Sequence, residues 1–363
     1  MRVLITGIDG YIGCLLAPVI ARAGHEVVGL DTRYFRGARL GGDPQPFPIL
    51  DKDLRHVTAQ DLSGVGAVIH LAELSNDALG QIAPEITYDV NYHAAMRLAT
   101  LAREAGVSRF VYASSCSVYG RSHEEIVTEA SPVDPQTDYA RCKVLNERDL
   151  SALATDAFSP TFLRNATAYG ASPRMRFDLV VNSLTALAWT TQRIAMTSDG
   201  TPWRPIVHVM DICAAMRAAL EAPREAVHNQ VFNVGRTDEN YRIRELASMI
   251  ADVFPGCEVT FGTRDPDQRS YRVSFDKIAG ALPGYRPEWD LRRGAAQLRA
   301  LYEQVPLTPE LFRLPPFTRL EQLRRLMAEG RLDARFFWTG LERPHEPGRA
   351  RSGSAAANPH TIV

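Results

Sequence analysis

The chain has 363 residues, 45% of them apolar and 23% charged, which at about 150 residues per domain implies roughly two domains and excludes fibrous or wholly disordered architectures. Forty-one basic against 42 acidic side chains leave a formal net charge of -1, too weak a field to gather a polyanion, so nucleic acid is not an expected partner. The longest stretch without a charge, 179–192, carries Asn182, Ser183, Thr185, Thr190 and Thr191 and is too short and too polar to span a bilayer, so no membrane is expected either.

In chain order, β-branched runs at 3–5, 27–30, 67–70, 110–113 and 161–163 read as buried strands, and 11–23, 91–105 and 139–154 between them have helical spacing. That alternation predicts βαβ units and a doubly wound parallel sheet. The first strand starts at Val3 with no apolar leader ahead of it, and Cys14, Cys116, Cys142, Cys213 and Cys257 are odd in number and widely spaced. Reduced thiols and a cytoplasmic location are the expectation. Beyond Gly170 the spacing predicts a helix over 177–190, a turn at 199–202, a strand over 205–209, a helix to 220 capped by Asp211, and a strand over 231–234. Helices are expected over 242–254 and 319–329, with a Pro-rich connector at 306–316 and a disordered tail over 344–363.

Directly after the first strand comes Thr6-Gly7-Ile8-Asp9-Gly10-Tyr11-Ile12-Gly13. Glycines at these spacings let the backbone turn sharply and approach a pyrophosphate, which a following helix meets with unpaired amides. Gly7, Gly10, Tyr11, Ile12 and Gly13 are the expected cradle, although a tight strand-to-helix turn uses the same glycines. The second strand ends at Asp31, 18 residues past Gly13, where a carboxylate accepts from adenosine ribose hydroxyls and repels a 2′-phosphate. NAD is therefore favoured over NADP, with Arg33 and Arg36 keeping the second open.

Tyr139 and Lys143 stand four residues apart, on one face of a helix. An ammonium beside a phenol favours the phenolate and lowers a pKa that starts at about 10, so the oxygen can exchange a proton with an alcohol. Among the 41 basic residues only Lys52, Lys143 and Lys277 are lysines, so this spacing seldom arises by accident. Upstream, Ser114-Ser115-Cys116-Ser117-Val118-Tyr119-Gly120 follows the run at 110–113. A hydroxyl at the carboxyl end of a parallel strand sits where ligands bind, though serines also simply end strands.

Taken together, Gly7-x-x-Gly10-x-x-Gly13, Asp31, Asp53-Leu54, His70-Leu71-Ala72, Ser115 and Tyr139-x-x-x-Lys143 resemble the extended short-chain dehydrogenase/reductase family. Within it, the likeness is to the nucleotide-sugar epimerases and dehydratases of UDP-glucose 4-epimerase type, and it covers roughly residues 1–300. The resemblance implies an α/β fold: a Rossmann-type doubly wound parallel sheet with a smaller, mostly helical substrate-binding domain. An NAD-binding domain would take 1–175 with 205–237 returning to it, and the substrate-binding domain 176–204 and 238–343. Asp53 and Leu54 would border the adenine, Ala72 would line the cofactor cleft, and Lys143 would also hold the nicotinamide ribose.

By the same resemblance Ser115 is the catalytic hydroxyl and Asn182, Arg204 and Arg264 hold a nucleotide-diphosphate sugar, with Thr167 in a segment that departs from the family pattern. The family's dehydratases carry Asp-Glu after the catalytic hydroxyl residue, where this chain has Cys116 and Ser117. That favours an epimerase, with Cys116 either a packing thiol or a proton carrier. A homodimer is implied, and no histidine spacing suggests a metal site. Tyr139 is thus expected to deprotonate a sugar hydroxyl at C4 while hydride passes to NAD and Ser115 bonds the developing ketone. The rivals are a net dehydrogenase or keto-reductase, an atypical dehydratase, and a non-catalytic NAD-binding protein.

Overall fold

The computed structural model describes residues 1–75, 83–122, 124–263, 269–282 and 284–340, so Arg264 and the expected tail lie outside the described residues. The first half alternates β1 (Arg2–Thr6), α1 (Gly13–Arg22), β2 (Glu26–Asp31), β3 (Ile49–Asp51), β4 (Ala67–His70), α2 (Ala94–Glu104), β5 (Arg109–Ser115), α3 (Asp138–Ala152) and β6 (Ser159–Asn165). Then follow β7 (Thr167–Tyr169), α4 (Val180–Thr191), β8 (Arg193–Ala195), β9 (Trp203–His208), α5 (Val209–Glu221), β10 (Gln230–Val234), β11 (Asn240–Arg242), α6 (Ile243–Val253), β12 (Glu258–Thr260), α7 (Leu291–Gln304) and α8 (Arg319–Ala328).

Among the described residues seven strands form one parallel sheet in the order β10-β6-β5-β4-β1-β2-β3. Its strands read as unbroken apolar runs because both faces are covered. Val3, Ile5, Ala67, Ile69, Val111 and Ala113 pack on one face with Leu16, Ile20, Ile212 and Met216 of α1 and α5. The alternate residues Leu4, Val68, Phe110 and Tyr112 pack on the other with Leu98, Ala102 and Leu150 of α2 and α3. This is the period-two geometry of a strand buried on both sides.

The chain leaves the sheet after β6 and returns as β10, so the second lobe is interleaved with the first. That lobe holds a three-stranded sheet, β11-β9-β7, and a two-stranded one, β12-β8, packed with α4, α6 and α7. One strand is new and one local expectation is corrected. β3 gave no signal, being three half-exposed residues long, and α5 is capped by His208, not Asp211: His208 has extended backbone and its Nδ1 accepts from Met210 N at 3.3 Å. Asp211 instead lies in the first turn, where its carboxylate accepts from Glu288 N and Trp289 N.

Beyond α7 the chain runs back over the first lobe. Leu323, Leu326, Leu332 and Phe336 bury Tyr34 and Leu74. Gln322 donates to Tyr34 O at 2.9 Å, Trp338 Nε1 to Thr32 O at 2.8 Å, and the Tyr34 hydroxyl to Phe336 O. This extension roofs the loop that follows Asp31. Among the described residues, no helix is long and apolar enough to cross a membrane, and all five cysteines are unpaired thiols.

Candidate active site

The carboxyl ends of β1, β2, β4, β5 and β6 open into one cavity of about 740 Å³, closed on its far side by residues of the second lobe and by Arg319 of α8. In an open parallel sheet this is where ligands bind. Of the sequence-derived residues, Gly7, Gly10, Tyr11, Ile12, Gly13, Asp31, Asp53, Leu54, Ala72, Ser115, Tyr139, Lys143, Thr167 and Arg204 line it.

The glycine loop turns tightly into α1. At Gly13 a Cβ would stand 2.2 Å from Gly7 O, and Gly7 has φ +73° with a Cβ position 2.9 Å from Ala72 N, so neither place accepts a side chain. The Tyr11 hydroxyl is spent on Gly170 O at 2.7 Å. Asp31 accepts from Asp9 N at 2.9 Å and from Arg33 N at 2.6 Å, which fixes its carboxylate at the cavity wall. Burial, with Asp9 nearby, pushes its pKa up to about 6. Arg33 is taken by Asp51 at 2.6 Å and Arg36 is exposed; neither lines the cavity, so the two arginines that kept NADP open do not face the ribose position. Asp53 is forked by Arg55, with Nη2–Oδ2 at 2.7 Å, and Arg55 in turn lies 3.6 Å from the centre of the Phe337 ring.

Tyr139 and Lys143 are brought together by α3, whose first turn is capped by Thr137 Oγ1 accepting from Ala140 N at 3.2 Å. Lys143 Nζ lies 5.2 Å from the Tyr139 ring centre and 4.7 Å from that of Tyr112. It donates to Ala113 O and pairs with Glu73, both side chains being less than 5% exposed. Glu73 was not anticipated from sequence, although it directly follows His70-Leu71-Ala72. Its Oε1 accepts from the Tyr112 hydroxyl at 2.7 Å, and Asn146 donates to that hydroxyl at 2.8 Å. Burial works against the ammonium, but the Glu73 and Tyr139 oxygens more than offset it, so Lys143 is held charged above its usual range.

Ser115 Oγ accepts from Ser117 N at 3.1 Å. Its own O–H stays available to donate into the cavity. Ser117 also lines the cavity, and its buried Oγ has no hydrogen-bond partner among the described residues. Cys116 points the other way: it is 1% exposed, its thiol donates to Arg164 O at 3.2 Å, and burial pushes its pKa well up. That is the setting of a packing thiol.

Asn182 lies behind the cavity wall. It is fully buried, accepts from Gly170 N at 2.9 Å, and donates to the Tyr11 hydroxyl and to Arg176 O. It braces the cavity wall without lining it. Arg204 and the unanticipated Arg269 sit together at the second lobe's end, Arg204 Nη1 donating to Arg269 O. Arg176, also unanticipated, is buried and forks Asp178 at 2.9 and 3.1 Å. His70 and His208 are core residues. His70 Nδ1 shares a 2.7 Å bond with Thr6 Oγ1 and burial pushes its pKa down to about 3, while His208 stacks on Trp289 with ring centres 3.9 Å apart.

A family model described as NAD dependent epimerase/dehydratase family matches residues 3–235. UDP-glucose 4-epimerase of Mycolicibacterium smegmatis is 32% identical over 317 residues, spanning 82% of this chain and 97% of its own. Among solved structures, the NAD-dependent NDP-hexosamine 5,6-dehydratase TunA aligns with a TM-score of 0.73 at 25% identity, over 84% of this chain and 98% of its own. The complex of MoeE5 with UDP-glucose and NAD aligns with a TM-score of 0.72 at 26% identity, over 84% and 99%.

Proposed function

Because the chain belongs to the NAD-dependent epimerase/dehydratase family and its cofactor is NAD, we propose that it is a nucleotide-sugar epimerase acting at C4 of the sugar. The residues fit the dinucleotide: the glycine loop leaves no room for a Cβ, and Asp31 offers a carboxylate fixed at the wall. Tyr139 and Lys143 line the same cavity.

Bound NAD supplies the acceptor for a hydride and then its donor. Lys143, kept charged beside Glu73, favours the Tyr139 phenolate. The Tyr139 oxygen takes the proton of the sugar hydroxyl as the hydride leaves the same carbon, and the C–O bond becomes a carbonyl. Ser115, its oxygen already accepting from Ser117 N, donates its proton in a hydrogen bond to that oxygen as charge gathers on it. Once the keto sugar has turned, Tyr139 would give the proton back to its oxygen. Arg204 and Arg269 supply planar forks suited to the substrate's diphosphate, and Thr167 lines the space beside them.

One observation carries this reading over elimination of water. The two residues after Ser115 present a thiol turned into the core and a hydroxyl. Among the described residues the cavity's carboxylates are all engaged, Asp31 by backbone amides, Asp53 by Arg55, Glu73 by Lys143 and Asp178 by Arg176, so none of them stands ready as acid or base for adjacent ring carbons. The test is incubation with UDP-glucose, UDP-galactose, UDP-glucuronic acid and dTDP-glucose, followed by mass and NMR of the products. Epimerisation conserves mass and leaves no NADH; a product lighter by one water, or NADH formed mole for mole, overturns it. We further propose a homodimer, which sedimentation tests directly.

A further inference from the structure

The extension beyond α7 brings one charged side chain into the cavity. Arg319, the first residue of α8, is 4% exposed and stands on the cavity wall. Its guanidinium lies over Phe35, 3.9 Å from the ring centre, and its Nη1 is buried with no hydrogen-bond partner among the described residues. Nearby carboxylates are committed elsewhere: Asp178 is forked by Arg176, and both oxygens of Asp31 accept backbone amides.

A buried cation without a fork partner is costly, and burial, with Arg176 next to it, pushes the Arg319 pKa down to about 9. The position of this cation tells what it is for. Its guanidinium covers a ring four residues past Asp31, and its backbone amide donates at 3.4 Å to Asp178 Oδ2, the carboxylate that Arg176 forks. Arg176 interacts in turn with Tyr139 and Tyr11. On the cavity wall Arg319 therefore stands between the loop after Asp31 and Arg176. A dinucleotide laid along that line has its anionic centre, the pyrophosphate, between its two riboses.

We infer that Arg319, delivered by the C-terminal extension, is a ligand of the cofactor's pyrophosphate and completes a phosphate site that the glycine loop begins. The inference rests on the NAD reading above. It assigns the extension a chemical role: the guanidinium left without a fork partner in the protein pairs with phosphate oxygens, a geometry guanidinium forks suit.

The test is a titration of the stripped full-length chain with NADH, followed by fluorescence, with ADP-ribose, adenosine and UDP as competitors. In R319Q the Kd for NADH and ADP-ribose rises about tenfold to a hundredfold, the size of a lost charge-assisted pair. Adenosine, which carries no phosphate, and UDP stay within about twofold of wild type on the same reasoning. The ligand-free R319Q chain melts at the wild-type temperature or above it, because the unpaired cation is gone. R319K, which keeps the charge and loses the fork, shows a smaller rise in the same two ligands and is the measurement to use should R319Q fail to fold. Unchanged ADP-ribose affinity, equal loss of adenosine, or a loss confined to UDP overturns the inference. Wild-type chain that binds no NADH overturns the cofactor reading along with it.

Discussion

Lys143 is flanked by two acids, the Tyr139 phenol and the Glu73 carboxylate, and they ask opposite things of it. The phenol needs the positive charge; the carboxylate partly neutralises it while keeping the ammonium charged in a place where burial would discharge it. Glu73→Ala leaves a buried cation unpaired, and urea unfolding should show a loss of about 3–5 kcal/mol. Tyr139→Phe should lower turnover by about 10²–10⁴-fold with NADH binding retained, since it removes the proton carrier and leaves the cradle intact; product assays beside a binding titration separate the two. Asp31 sets a pH dependence. Its folded pKa is raised from 3.8 to about 6, so as pH rises through that window the ligand-free fold loses stability on its account. The carboxylate proposed to accept ribose hydroxyls forms over the same window. NADH affinity should therefore fall as pH is lowered through about 6, and Asp31→Asn, though weaker throughout, should flatten that profile; titrations at several pH values decide it.

Elements were legible where burial dictated them. Strands β1, β4, β5 and β6 could be read as apolar runs because helices cover both faces, and the glycine loop because nothing larger fits between Gly7 and α1. β3 is too short and too open to leave a pattern, and the α5 cap fell to His208 because backbone geometry, not residue preference, decided between neighbours. Tyr139 and Lys143 needed only one helix to meet, whereas Glu73, Arg176 and Arg319 come from other segments, so spacing along the chain carries no trace of them. Two element-scale changes are sharply defined. Gly13→Ala drives a methyl into Gly7 O and should abolish NADH binding with a loss of about 1–3 kcal/mol in stability, read from calorimetric melting. Thr137→Ala removes the cap of α3 and should cost about 1 kcal/mol, visible in the same measurement.

At the scale of the molecule, the interleaved path places the phosphate loop and β10 in one rigid sheet while β7, β9 and α4 form the opposing wall. Under the proposed reaction a sugar released from Tyr139 would have walls on both sides, which is what a keto intermediate needs if it is to turn without leaving. Full conversion of a nucleotide sugar should accordingly proceed with no lasting change in NADH absorbance; a stoichiometric rise would assign a net dehydrogenase.

The roof over the loop after Asp31 has a consequence for biosynthesis. The Tyr34 hydroxyl reaches Phe336, 302 positions later in the chain, so the segment that roofs the loop after Asp31 is synthesised long after the strands it covers. The sheet can form during translation, domains assembling as they emerge, before the clasp has been made. Nascent chains stalled before Arg319 should carry a folded core and no retained dinucleotide, making cofactor capture a step that waits for the extension.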